Sequence, residues 1–106
     1  MSPRPYDIYV AVIPWGYCND RRPCIIVEAC SDGMLFVVPI SSQMDLLKGG
    51  RQHFLIQEGH RDFTTTGLHR TSYADLDMHM QIRIGALVKK IGCLKGELAT
   101  EFDKVL

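Results

Sequence analysis

Two groups of residues have types and spacings suited to chemistry. The first spans residues 19–43, "NDRRPCIIVEACSDGMLFVVPISSQ", where two apolar runs flank a Ser31-Asp32-Gly33 turn and read as a β-hairpin. Arg21 and Arg22 stand at one mouth of this hairpin, and Ser41, Ser42 and Gln43 stand at the other end of the pair. A guanidinium stays charged at any working pH and grips a phosphate or carboxylate through two N–H groups at once. The second group is the alternation in residues 72–82. Ala74, Leu76, Met78, Met80 and Ile82 fall on one face of a strand, and Tyr73, Asp75, Asp77, His79 and Gln81 on the other. Side chains two apart on a strand are roughly 7 Å apart, so two carboxylates and an imidazole would form a row able to hold a metal or to move protons. The same alternation describes the solvated outer face of an antiparallel strand, and pattern alone leaves both readings open.

The elements expected to position these groups are mostly short strands. Asp7 to Ile13 reads as a first strand broken by Pro14-Trp15-Gly16, followed by a polar loop to Arg22. Pro23–Cys30 and Met34–Ile40 form the hairpin. A polar loop over residues 41–50 contains one helical turn at "DLLK", stopped by Gly49-Gly50. "HFLI" is a short strand, residues 60–71 are loop, and residues 72–82 form one long strand followed by the apolar "IGALV". Leu98, Phe102 and Val105 then fall on one stripe of a C-terminal helix. This pattern predicts a mainly β fold with a C-terminal α-helix, a small, partly open β-barrel formed by a single domain over residues 1–106.

Composition narrows the function classes. Of 106 residues, 46% are hydrophobic and 23% charged, as in soluble globular proteins. Twelve basic and twelve acidic side chains give a formal charge of zero, so an anionic partner must meet a local patch. The beginning "MSPRPYD" lacks the apolar core of a signal peptide, and no run reaches the roughly 18 apolar residues of a membrane span. A cytoplasmic location with no membrane partner is expected. Cys24 and Cys30 on one strand would be roughly 20 Å apart, and Cys18 and Cys93 complete no zinc-type pair, so reduced thiols are expected.

The order of several short motifs resembles the MazF/PemK (Kid) toxins of type II toxin–antitoxin systems. "YDIYVAVIP" looks like their first strand, "RRPCIIVEA" their Arg-Pro before an apolar strand, and "FVVPISSQ" their Val-Pro-Ile-Thr-Ser. "TTTGLHRTSYADLD" is similar to their Thr-Gly-Leu and Ser-Tyr/Val segment, and "KKIGCLKGELATEFDKVL" to their Lys-Lys-Ile-Gly-x-Leu and last helix. The resemblance covers nearly the whole chain. It implies an SH3-like barrel of the MazF/PemK/CcdB type and a metal-independent, cofactor-free endoribonuclease that cleaves single-stranded RNA to 2′,3′-cyclic phosphate and 5′-hydroxyl ends. It further implies a two-fold homodimer and a cognate antitoxin protein as partner.

Carried onto this chain, the family's phosphate-flanking positions fall on Arg22 and Ser41, and an aspartate implicated in PemK-like catalysis on Asp77. His79 joins the catalytic set on the expectation that Asp77, on the same strand face, orients it for proton transfer. The RNA surface is expected to comprise Trp15, Tyr17, Arg21, Ser42, Gln43, Ser72, Tyr73 and Lys89. The chain departs from the family pattern in three places. Serine replaces the usual threonine at position 41, "WGYCND" stands where an acidic, glycine-rich loop is common, and Met78-His79-Met80-Gln81 lacks an arginine usual there. The alternatives are a CcdB-like gyrase-directed toxin and a catalytically silent barrel that binds a partner protein.

Overall fold

A computed structural model describes the backbone of residues 2–15, 18–44 and 52–106, with the side chains of all of these except 14, 15, 18 and 19. Among the described residues, seven strands and one α-helix follow in order: β1 (Asp7–Trp15), β2 (Cys18–Ala29), β3 (Met34–Ser41), β4 (His53–Ile56), β5 (Ser72–Asp75), β6 (Met80–Arg83), β7 (Leu87–Cys93) and α1 (Gly96–Val105). The sheet runs β4-β5-β3-β2-β1-β7, and β6 pairs with β3 off that path. Every pairing is antiparallel. The mainly β architecture with one terminal helix is the one expected. The "DLLK" turn expected at residues 45–48 lies outside the described residues.

The central strands are rich in β-branched residues and are buried on both faces. Ile8, Ile25, Val38 and Ile40 pack with Phe54, Ile56 and the helix residues Leu98 and Phe102. On the opposite face, Ala11, Ile13, Cys24, Ile26, Leu35, Val37 and Ile82 form a second cluster. The helix is seated by its apolar stripe, with Phe102 edge-on to Phe54 at a centroid separation of 5.3 Å. The third member expected in that stripe, Val105, stays 48% exposed.

Two proline positions show how the sheet opens. β3 shares its outer edge between two partners, pairing β6 over Met34–Val37 and β5 over Ile40–Ser41. Pro39, which has no N–H to give, falls in the gap between them. β2 pairs β1 from Cys18 onward but meets β3 only from Cys24. The stretch ending at Pro23 therefore has a strand neighbour on one side only.

Three strand expectations need correction. β1 continues through Pro14 to Trp15, and β2 starts at Cys18, so Arg21 and Arg22 lie inside a strand, opposite Val12 and Ala11, and not at the end of a loop. Polar side chains concealed this, because cross-strand hydrogen bonds are made by backbone whatever the side chains are. The expected strand over residues 72–82 is two strands separated by a 3₁₀ turn at Leu76–Met78. Asp75 causes the break, its Oδ1 accepting the Asp77 N–H at 3.2 Å, a local bond that competes with the sheet ladder.

Candidate functional site

The open side of β2 faces a cavity of about 610 Å³, within the ~300–1,000 Å³ range of ligand-binding clefts. Its apolar wall is made by Val10, Pro23, Ile40, Leu68 and Ile91. Asp20, Arg21 and Arg22 come from β2, Ser41 from the end of β3 and Ser42 from the residue after it, Ser72 from β5, and His69 and Arg70 from the loop before β5. Three guanidiniums face one carboxylate here, so the cavity is locally cationic in a chain of zero formal charge.

Each polar group is held in a definite way. Arg22 Nη2 lies 3.6 Å from Asp20 Oδ2, with the arginine side chain 24% exposed. Ser41 is buried, and its Oγ accepts the Gln43 N–H at 3.1 Å. The backbone N–H thus uses a lone pair of the hydroxyl and leaves its hydrogen for another acceptor. Ser72 Oγ donates to the Arg70 carbonyl at 2.9 Å, tying the base of the loop to β5.

That loop is set by Thr66-Gly67-Leu68. Thr66 is fully buried, its Oγ1 donating to the Phe63 carbonyl at 2.6 Å and accepting the Leu68 N–H at 3.1 Å. Gly67 has a φ of +73°, and a β-carbon there would collide with the Ile91 carbonyl. Ile91 sits at a register shift in β7, between Gly92 opposite Ile8 and Lys90 opposite Tyr9. A glycine with left-handed backbone is thus required at 67, and it delivers His69 and Arg70 to the cavity.

Arg21, Arg22, Ser41, Ser42 and Ser72 therefore meet in one place. The other expected site residues do not join them. Tyr73 is 2% exposed and edge-on to His53 at 6.4 Å, so neither ring face is open to a base. Gln43 and Lys89 are exposed outside the cavity lining. Tyr17 and the Trp15 side chain lie outside the described residues.

Asp77 and His79 are also elsewhere, and the strand face expected to pair them is absent because the Leu76–Met78 turn intervenes. Asp77 Oδ2 accepts the Gln52 N–H at 3.0 Å. His79 Nδ1 is bonded to the Leu76 carbonyl at 2.9 Å, so this nitrogen carries a proton, and the ring stacks on Phe36 at 5.2 Å. His79 borders a separate cavity of about 310 Å³, lined mainly by Val27, Phe36, Val38, Leu76, Val105 and Leu106.

His69 was missed in the sequence. The signal that could have found it is a His-Arg pair one residue after a Thr-Gly turn, where a fixed backbone aims the following side chains. Among the described residues, one group has metal-ligand geometry, His60 with Glu97 and Glu101. His60 Nδ1 accepts the Asp62 N–H at 3.0 Å, which leaves the proton of the neutral ring on Nε2, 3.5 Å from Glu101. Glu97 is paired to Arg61 at 2.7 Å. These contacts brace the start of α1 and leave no imidazole lone pair for a metal. Cys24 is buried, which pushes its thiol pKa up to about 12, and Cys24, Cys30 and Cys93 are free thiols. No helix among the described residues is long and apolar enough to cross a membrane.

The sequence matches no protein-family model and no curated protein. Among solved structures, the fold is similar to that of Mycobacterium tuberculosis toxin MazF-mt6, with a TM-score of 0.69 and 18% identity over 93% of this chain and 90% of that one. The antiparallel sheet with its terminal helix is thus the MazF toxin fold, as the order of the sequence motifs suggested.

Proposed function

We propose that this chain is the toxin of a type II toxin–antitoxin system and acts as a metal-independent endoribonuclease on single-stranded RNA. The observation that carries the reading is the meeting of Arg22 and Ser41, distant in sequence, in one cationic cavity. The likeness in fold to a protein named as a toxin adds to it. In the proposed reaction the ribose 2′-oxygen bonds to the adjacent phosphorus and the bond to the 5′-oxygen breaks. The products are a 2′,3′-cyclic phosphate and a 5′-hydroxyl. Negative charge grows on the non-bridging oxygens, and each fixed donor aimed at them is worth about 10²–10³ in rate. Arg22 offers two parallel N–H groups, and Ser41 offers the hydroxyl hydrogen that Gln43 leaves available. Arg21 and Arg70 would hold neighbouring phosphates at the rim.

In this reading the protein is a cytoplasmic homodimer. Ile84 and Val88, 46% and 45% exposed, are apolar surface suited to contact with a second copy. A cognate antitoxin would present acidic side chains to the arginine cavity and compete with RNA. The test is incubation of purified protein with a long single-stranded RNA in EDTA. Cleavage leaving cyclic-phosphate ends, lost in Arg22→Ala protein of native circular dichroism, is the expected result. Intact RNA, or full activity in that variant, would overturn the assignment.

A further inference from the structure

We propose that His69 is the catalytic base of this cavity, accepting the 2′-hydroxyl proton of a single-stranded RNA substrate, an inference that rests on the endoribonuclease reading. The reaction needs a group to take that proton as the oxygen–phosphorus bond forms. The 5′-oxygen leaves with a proton from water, so the step is balanced without a further reactant.

The candidates are few. The ionisable lining consists of Asp20, Arg21 and Arg22 from β2 and His69 and Arg70 from the loop, while β1, β3, β5 and β7 face the cavity with Val10, Ile40, Ser41, Ser72 and Ile91, and Ser42 follows β3. Arginine does not give up its proton in proteins and cannot serve as the base. Carboxylates are weak bases near neutral pH, and Asp20 is already engaged with Arg22 at 3.6 Å. Histidine is the side chain whose ordinary titration range matches the task.

The four histidines of the chain also divide by environment. His60 is held between the Asp62 N–H and Glu101, His79 between the Leu76 carbonyl and the Phe36 ring, and His53 lies against Tyr73. His69 is exposed at the cavity, and no hydrogen bond or ion pair engages it among the described residues. Its backbone, by contrast, is placed by the Thr66 hydroxyl and the close approach of Gly67 to Ile91. A ring with an unengaged nitrogen on an anchored loop is what proton abstraction requires.

The experiment measures single-turnover cleavage of a long single-stranded RNA in EDTA between pH 5 and 9, for the wild-type dimer or monomer as purified and for His69→Gln. The wild-type rate should climb with pH and then level off. His69→Gln should lose about 10²–10⁴-fold and the climbing limb together. Added imidazole should restore part of the rate to His69→Ala, and binding of a 2′-O-methyl RNA should change less than about threefold in either variant, because the phosphate-gripping arginines remain. A His69→Gln protein that keeps the rate or the rising limb would remove His69 from proton transfer and leave the endoribonuclease reading standing. Wild-type protein that cuts no RNA at any pH would overturn both.

Discussion

Gly67 and Ile91 approach so closely that the Ile91 carbonyl occupies the space a β-carbon on Gly67 would need. This contact fastens the loop carrying His69 and Arg70 to β7, so the geometry of the cavity depends on the absence of one side-chain atom.

Gly67→Ala should therefore destabilise the protein by about 2–4 kcal/mol, combining the cost of left-handed backbone with that of overpacking. Gly59→Ala is the control, since nothing lies within 4 Å of a β-carbon there, and it should change stability by less than about 0.5 kcal/mol. Urea unfolding of the two variants measures the difference, and equal midpoints would show that the loop yields.

Ser41→Ala should lower the rate of RNA cleavage by about 10²-fold, as expected for one lost donor to the developing charge. The Gln43 N–H would also lose its acceptor, at a stability cost of about 1 kcal/mol. Cleavage kinetics and thermal unfolding on the same preparation separate the two effects. An unchanged rate with reduced stability would leave Ser41 as a loop cap alone.

His79→Ala is expected to spare catalysis. Its ring lies on Phe36 beside a different cavity, and its nitrogen is bonded to the Leu76 carbonyl. The variant should keep the wild-type pH–rate profile while losing about 0.5–1.5 kcal/mol of stacking. A flattened profile would return His79 to the reaction.

Tyr6 ties the N-terminal segment to the helix by donating its hydroxyl to Asp103 at 2.5 Å. That hydrogen bond, followed by desolvation and the carboxylate's charge, raises the phenol pKa above its ordinary value of 10.0. The folded state therefore favours the protonated phenol. Its contribution to stability is complete below pH 10.0 and is lost as pH rises through the elevated folded value. Ultraviolet titration should show one tyrosine ionising late in the wild type and earlier in Asp103→Asn. Coincident titration curves would show that the bond does not persist in solution.

Much of the fold was legible from residue order. The Ser31-Asp32-Gly33 turn between apolar runs, the "HFLI" strand and the spacing of Leu98 and Phe102 all signal elements whose causes lie within a few residues. Arg22 and Ser41 were linked through motif resemblance, and in the structure both line one cavity, where β2 and β3 part.

Elsewhere local chemistry overrode the pattern. The period-two alternation of residues 72–82 was real, but the Asp75 side chain took the Asp77 N–H and turned the chain before the ladder could continue. Asp77 and His79 thereby left the shared face on which their partnership depended. Tyr73 went inward because β5 is buried on both faces between β3 and β4, a matter of what lies above and below the strand.

By itself the sequence determined the central hairpin, the "HFLI" strand and the C-terminal helix, because backbone preference and side-chain period act over short distances. It also determined that any anion must be met by a local cluster, since the charges sum to zero. Only the tertiary structure decided which residues make up that cluster. His69 and Arg70 line one cavity with Arg22 and Ser41 because Gly67 lets the loop lie against Ile91, a contact between distant parts of the chain that no periodicity records. Steric fit across the sheet made that choice.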